Sequence, residues 1–340
     1  MKAAVFYGAK DLRITEVETP KVTAATDVMI KVHACGICGT DIHILEGDEG
    51  AAPTPSGTVL GHEFSGEVIA VGDRVKTVKA GDRVCVDPNQ LCGTCDYCRG
   101  GIGHFCENMI GIGTTVNGGF AEYCVVPESQ VYKVGTRISY EQAAMTEPVA
   151  CCLHGIDMCD IEPGATVAII GGGMIGLILL QLAKLSGASK LIMIEPLEEK
   201  RRIAESLGAC ITIDPFNQDV KAVLEENGIS RIQTVIECVG SPKTMEQAID
   251  IAGKKSTVML FGLTKPKDEI SVKPFEIFKK EITVKASYIN PYTQKRALTL
   301  IENGKIDVAS MIYKTIGLDE LPSVLADRQK RSLGKYIVVF

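Results

Sequence analysis

The stretch Thr166-Val167-Ala168-Ile169-Ile170-Gly171-Gly172-Gly173-Met174-Ile175-Gly176 runs an apolar segment directly into Gly-x-Gly-x-x-Gly. The first five residues read as a buried strand, and the residues after the glycines, through Leu185, read as a helix. A bare glycine triplet is weak evidence, but between a strand and a helix it is a specific one. The first Gly permits a tight turn and the second admits a pyrophosphate. The third lets helix and strand pack closely, while the helix N-terminus offers amides to the phosphates. The contacts expected here are Gly171, Gly173, Met174, Ile175 and Gly176. Glu195 ends the next strand, Lys190–Ile194. An acid there can hydrogen-bond both ribose hydroxyls and would repel a 2′-phosphate, which favours NAD over NADP. Lys200, Arg201 and Arg202 follow. They read either as solvated charges on a helix face or, for Arg201, as a cofactor contact.

Outward from this stretch, strands alternate with helices. Glu198–Leu207 is a helix, 234–238 and 257–261 are strands, and 243–252 is the helix between them. Such alternation predicts an α/β fold with a doubly wound parallel sheet and right-handed crossovers. The first third has a different rhythm. Short β-branched runs at 28–32, 66–71, 82–86, 119–126 and 131–134, bounded by Gly, Asp or Pro, predict a β-rich, antiparallel or barrel-like domain with long functional loops. The tail is mixed, with a helix near 293–303 and a strand at 336–340.

At 340 residues the chain exceeds the usual size of one hydrophobic core, so two domains are expected. A formal charge of −6 argues against nucleic acid or an anionic membrane as partner. The start, Met1-Lys2-Ala3-Ala4-Val5-Phe6, reads as a strand and lacks a signal-peptide core. Residues 165–183 carry no charge, yet four glycines interrupt them, so a buried strand and helix fit better than a membrane span. Thirteen cysteines, an odd count without a paired framework, point to a reducing compartment and a cytoplasmic location.

Four of those cysteines, Cys92, Cys95, Cys98 and Cys106, follow the pattern Cys-x2-Cys-x2-Cys-x7-Cys. Thiolates so spaced can converge on one tetrahedral cation and leave no open position, which describes a structural zinc. Turn formers between them leave the lobe (about 88–110) little core of its own, so metal would supply its folding energy. A disulfide cluster is the alternative reading.

Two further segments, Cys35-Gly36-Ile37-Cys38-Gly39-Thr40-Asp41-Ile42-His43 and Gly61-His62-Glu63-Phe64-Ser65-Gly66, add a second set of metal-binding types. With the cysteine lobe, the glycine fingerprint and Gly118-Gly119-Phe120-Ala121-Glu122-Tyr123, they resemble the zinc-dependent medium-chain alcohol dehydrogenases over essentially the whole chain. The resemblance implies a GroES-like catalytic domain (1–150), a Rossmann NAD-binding domain (151–288) and a tail that rejoins the catalytic domain (289–340). It implies two zinc ions per chain, one catalytic and held by Cys38 and His62, with Glu63 as ligand or exchangeable neighbour. Where the ethanol-oxidising branch has a further cysteine, this chain reads Thr146-Glu147-Pro148, as the polyol and threonine branches do. Glu147 is thus expected to bind zinc directly or through its water. Alone, Cys38 reads as a loop cysteine, His62 as a core histidine and Glu147 as a helix cap; together they read as a site.

The implied reaction is oxidation of an alcohol by hydride transfer to NAD. Zinc lowers the pKa of bound water from ~15.7 to ~7, equivalent to ~12 kcal/mol in favour of deprotonation if an alcohol responds alike. Thr40 and His43 would relay the released proton. The glutamate favours a small-molecule polyol oxidised to a ketose. Ile289 stands, by approximate alignment, where sorbitol dehydrogenases place a substrate-contacting arginine, which disfavours sorbitol itself. L-Threonine is the alternative substrate, and a non-catalytic NAD-binding zinc protein is the alternative of another class. Family resemblance suggests a homodimer or homotetramer.

Overall fold

A computed structural model describes residues 1–47 and 53–340. The chain divides into two compact units, Met1–Ala150 with Asn290–Phe340, and Cys151–Ile289. The division falls inside the helix Thr146–Cys159. Its Pro148 sits in the first turn, where the missing amide hydrogen is not needed.

In the second unit the strand Thr166–Ile170 is buried at every residue and lies inside a six-stranded, wholly parallel sheet. Counted along the chain, its strands stand in the order third, second, first, fourth, fifth, sixth. The winding therefore reverses between Thr166–Ile170 and Thr234–Glu237, and ligands bind outside the carboxyl ends of α/β sheets at such a reversal. The helices Met174–Leu185, Glu198–Leu207, Val220–Glu226 and Pro242–Ile251 follow its strands, and Ile170, Ile194, Val235 and Val258 belong to its apolar core. The fourth strand ends one residue earlier than expected, because the Glu237 carboxylate turns the chain by accepting from Val239 N and Gly240 N at 2.8 and 2.9 Å. The uncharged run 165–183 thus divides between strand and helix, and no helix among the described residues is long and apolar enough to cross a membrane.

The first unit is built on a seven-stranded sheet. Across it run Val131–Lys133, Arg83–Val86, Glu63–Val71, Asp27–Gly36, Lys335–Val339 and Ile312–Ile316, with Tyr123–Pro127 also paired to Asp27–Gly36. Adjacent strands are antiparallel except the last two, which are parallel. A three-stranded sheet joins Asp11–Glu16, Lys2–Gly8 and Thr58–Val59. Alternation did not mark Asp11–Glu16 or Ile312–Ile316 as strands, since both are largely solvent-facing and depend on a paired neighbour. Leu60, Phe64, Phe120, Val84 and Val338 form part of the core under these strands.

A polar knot, with Asn290 buried and Asp87 and Asn89 partly so, sits at the base of the cysteine lobe. Asp87 Oδ1 accepts from Asn89 N at 3.0 Å and from Asn290 Nδ2 at 3.3 Å, and Asn89 Nδ2 donates to Asn290 Oδ1 at 2.5 Å. Burial outweighs these bonds and pushes the Asp87 carboxyl up to about 6. A carboxyl raised above its unfolded value stabilises the fold below the unfolded pKa and loses that contribution as pH rises to about 6. The difference corresponds to ~3 kcal/mol. Urea midpoints measured from pH 4 to 7 should show this slope superimposed on other titrations, and Asp87→Asn should flatten it by a comparable amount.

Candidate metal centres and dinucleotide site

The lobe brings its four cysteines together, with the sulfurs of Cys92, Cys95, Cys98 and Cys106 all within 4.8 Å of one another. No disulfide joins Cys92, Cys95, Cys98 and Cys106 among the described residues, so the disulfide alternative for this cluster has no counterpart in the structure. Backbone amides are already aimed at the sulfurs. Thr94 N and Cys95 N each donate to Cys92 Sγ at 3.4 Å, and Cys92 N donates to Cys106 Sγ at 3.3 Å. The Thr94 hydroxyl and these amides pull the Cys92 thiol down to about 5, and amides of Cys98 and Glu107 lower Cys95. Burial and the neighbouring sulfurs push Cys98 up to about 12. Four crowded sulfurs, with amides already aimed at two of them, form a donor set that fits zinc.

The second set depends on strand register. Asp27–Gly36 and Glu63–Val71 run antiparallel with Gly36 opposite Glu63, so Cys38 lies just past one strand end and His62 just before the other strand begins. Cys38, His62 and Glu63 offer donor atoms within 4.8 Å of one another. Gly61 has φ +95°, and a Cβ there would stand 2.7 Å from Phe120 N and 2.8 Å from Cys35 Sγ, so only glycine lets the chain turn into His62. Gly119 N donates to Gly61 O at 2.7 Å, which ties this turn to the Gly118-Gly119 segment.

Asp41, which the sequence reading did not assign, organises this set. It is fully buried, its Oδ2 accepts from Cys38 N at 2.8 Å, and its Oδ1 lies 3.6 Å from His62 Nδ1. Nδ1 thus faces a carboxylate and Nε2 is left for a metal, the usual arrangement behind a ligating histidine. Burial alone would lower the His62 pKa, but Cys38 and Asp41 outweigh it and hold the imidazole well above its ordinary value in the metal-free chain. The signal was present in sequence: Asp41 is the third residue of the helix Gly39–Glu46 and caps back onto Cys38.

Lys335 is the second unassigned residue. Its buried ammonium pairs with Glu63 Oε2 and donates to Ile37 O at 2.8 Å. Although burial opposes it, Glu63, then Cys38 and Glu147, raise its pKa above the ordinary lysine value. Neither Glu63 oxygen has a hydrogen-bond partner among the described residues: Oε2 meets the Lys335 ammonium as an ion pair, and Oε1 is buried with no partner. A thiolate-capable sulfur, an imidazole nitrogen and an unpartnered carboxylate oxygen converging at one point fit a divalent cation. Glu147 is buried in the first turn of Thr146–Cys159 and stands outside the set of three, though its charge reaches Lys335. Thr40 Oγ1 lies 3.7 Å from Cys38 Sγ, and His43 follows three residues later on the same helix.

In the second unit Gly171 has φ +103°, and a Cβ at Gly176 would overlap the carbonyl oxygen of Gly171. The helix Met174–Leu185 begins beyond Gly173, so its first turn, with Met174, Ile175 and Gly176, presents free amides. Glu195 is buried, its Oε2 accepts from Gly172 N at 2.7 Å and its Oε1 from Leu197 N at 2.9 Å. The acid is thereby fixed against the glycine turn. Arg201 Nη1 donates to Glu195 O and Pro196 O at 2.8 and 2.6 Å, and the guanidinium lies 3.5 Å from Asp214. Arg202 pairs with Glu198 on the exposed helix face.

Residues 24–136 match the family described as alcohol dehydrogenase GroES-like domain, and residues 174–303 match zinc-binding dehydrogenase. The chain is 32% identical to D-arabinitol dehydrogenase 1 of Uromyces fabae over 342 residues, covering 99% of this chain and 97% of the relative. It is 34% identical to L-threonine 3-dehydrogenase of Pyrococcus furiosus, again covering 99% and 97%. Among solved structures it is similar to one described as a zinc-binding dehydrogenase of Sinorhizobium meliloti bound to NADP, at 37% identity and TM-score 0.95, covering 100% and 99%.

Replacing Cys98 by Ser should lower zinc from about two ions per chain to about one, because a structural site needs all four ligands. Metal analysis of the dialysed protein, with limited proteolysis of the lobe, checks this.

Proposed function

The chain belongs to the zinc-dependent medium-chain alcohol dehydrogenases, and within them we propose that it oxidises a secondary hydroxyl of a sugar alcohol with NAD, reversibly giving a ketose. Zinc and a nicotinamide dinucleotide are the cofactors of this chemistry. The observation that carries the polyol reading is the acidic surround of the Cys38–His62 pair, with Glu63 in the donor set and Glu147 buried within charge reach of Lys335, the partner of Glu63. A substrate with vicinal hydroxyls can use metal and carboxylate together, whereas a simple alcohol leaves the second acid unused. The likeness to a D-arabinitol dehydrogenase supports the same reading.

Zinc held by Cys38 and His62, with Glu63 or Glu147 completing the set, would supply the acidification of the substrate hydroxyl. The chain's own residues do the rest. Asp41 orients His62 so that one ring nitrogen is free for the metal. The Thr40 hydroxyl, beside the Cys38 sulfur, receives the substrate proton. His43, three residues along the helix and so on the same face, passes it toward solvent. The amides of the Gly171–Gly176 turn hold the pyrophosphate. Glu195, fixed by Gly172 and Leu197, accepts from the ribose hydroxyls. Its carboxylate disfavours a 2′-phosphate, while Arg201, engaged with two carbonyls and Asp214, is not free to offset that charge.

L-Threonine is the second reading. The Cys38-Gly39-Thr40-Asp41-Ile42-His43 segment and the 34% identity to a threonine dehydrogenase favour it.

NADH formation across four- to six-carbon sugar alcohols and L-threonine, with NAD and with NADP, tests the reading. A polyol should turn over, NAD should exceed NADP by roughly 10–100-fold in kcat/KM through like-charge repulsion, and Glu195→Ala should narrow that ratio. Cys38→Ser should lower kcat by about 10³-fold, since metal acidification contributes several kcal/mol. Turnover of threonine alone would overturn the polyol assignment.

A further inference from the structure

We propose that Thr115 is a positioning residue whose turn carries the order of the four-cysteine lobe to His62, so that metal in the lobe steadies the second donor set. The inference rests on the reading above that Cys38 and His62 hold the catalytic metal. Its basis is one short segment, residues 110–120, fastened at both ends. At one end Ile110 and Gly111 pair with Gln90 and Asn89 in a two-stranded antiparallel sheet, directly before Cys92. Ile112 N also donates to Pro88 O at 2.9 Å. At the other end Gly118 N, Gly119 N and Phe120 N donate to Val59 O, Gly61 O and Leu60 O at 2.8, 2.7 and 2.9 Å. Asn117 Oδ1 accepts from Val59 N at 2.9 Å. Together these bonds hold the turn that delivers His62.

Between its ends the segment folds into a closed turn. The Thr115 hydroxyl accepts from Gly111 N at 2.9 Å and donates to Gly111 O at 3.2 Å. Thr115 N and Val116 N donate to the same carbonyl at 2.8 and 3.1 Å, and Gly113 N donates to Val116 O at 2.8 Å. This turn rests on the His62 turn backbone to backbone. A Cβ at Gly113 would overlap Gly61 O and stand 2.8 Å from His62 N, and one at Gly118 would overlap Gly61 O as well. Contacts this close transmit a shift, because no flexible side chain lies between to absorb it.

The lobe end is the one that depends on metal. The helix Asp96–Arg99 buries no residue, and Tyr97, Ile102 and Phe105 are all exposed. With so little apolar burial, the binding energy of an ion at Cys92, Cys95, Cys98 and Cys106 is the folding energy of the lobe. An emptied lobe would free Asn89 and Gln90 from Gly111 and Ile110, and the segment would lose its anchor on the side away from His62. Coupling of this kind is reciprocal, so an ion at either site strengthens binding at the other.

Cys98→Ser, Thr115→Val and the double variant, each as the full chain, should be compared with wild type in two measurements. Amide hydrogen exchange over residues 57–64, read by mass spectrometry, reports the His62 turn whether or not an ion is bound there. Release to a chelator reports the ion that Cys38→Ser lacks. Both single variants should exchange faster over 57–64. Cys98→Ser should release the second ion about 10-fold faster, the scale on which residues behind a ligand act. Thr115→Val should also speed that release while keeping the lobe's own ion. The double variant should match Cys98→Ser, since a linkage already broken cannot be broken again.

Wild-type exchange over 57–64 in Cys98→Ser would overturn the proposal. Effects that simply multiply in the double variant would overturn it too, because Thr115 would then support His62 independently of the lobe. Should Cys98→Ser not fold, Thr115→Ser and Thr115→Val decide it. Serine keeps the hydroxyl and should behave as wild type, whereas valine exchanging at the wild-type rate refutes the linkage. Faster exchange in a chain that binds no second ion would uphold the linkage and refute instead the reading of Cys38 and His62.

Discussion

The pairing of Gly36 with Glu63 across two antiparallel strands is the constraint on which the first unit's chemistry depends. Side chains alternate faces along a strand, so a slip of one residue would turn the Glu63 carboxylate to the opposite side and separate Cys38 from His62. The register is fixed on both flanks by apolar burial, with Cys35 opposite Phe64 and both residues fully enclosed. It also sets what the neighbouring strand delivers. Lys335–Val339 pairs with the same strand, Ile337 opposite Gly36, and this brings an ammonium to the carboxylate that the first register placed. Burying such a pair is expensive in desolvation, and it persists because its geometry is held by sheet bonds on either side.

The second unit solves a different problem with fewer parts. There the ligand-facing groups are mainly backbone amides, and the side chains serve to aim them. Glu195 and Glu237 stand at the ends of the two strands that flank Thr166–Ile170: Glu195 accepts from an amide of the glycine turn and from one of the turn that follows it, and Glu237 Oε1 accepts from two amides of the turn that follows it. The parallel register, with Ile170 level with both Ile194 and Glu237, puts these turns at one edge.

What could be read from sequence follows the distance over which each feature is determined. The cysteine lobe and the glycine turn are local: their residues lie within fifteen positions, and spacing alone constrains the geometry. Fold class followed from strand–helix alternation for the same reason. Cys38, His62 and Glu63 come from two segments, so only their resemblance to a known pattern joined them. Asp41 was readable in principle from helix capping. Lys335 was not, because nothing in Gly334-Lys335-Tyr336 signals a partner, and its carbonyl acceptor Ile37 lies 298 residues away. The edge strands Asp11–Glu16 and Ile312–Ile316 escaped because their stability comes from pairing, not from their own patterning.

The position of Lys335–Val339 has a further consequence for the order of assembly. This strand sits between Asp27–Gly36 and Ile312–Ile316, inside the sheet and not at its rim. Residues 151–289 can form their own parallel sheet as soon as they leave the ribosome, but the first unit stays an open sheet with an unfilled slot until the whole of the second has been made. The earliest-synthesised part of the chain is thus the last to close. During that interval the cysteines and His62 are present without the strand that completes their surroundings, which is when a nascent chain is most open to mispairing or to binding the wrong ion.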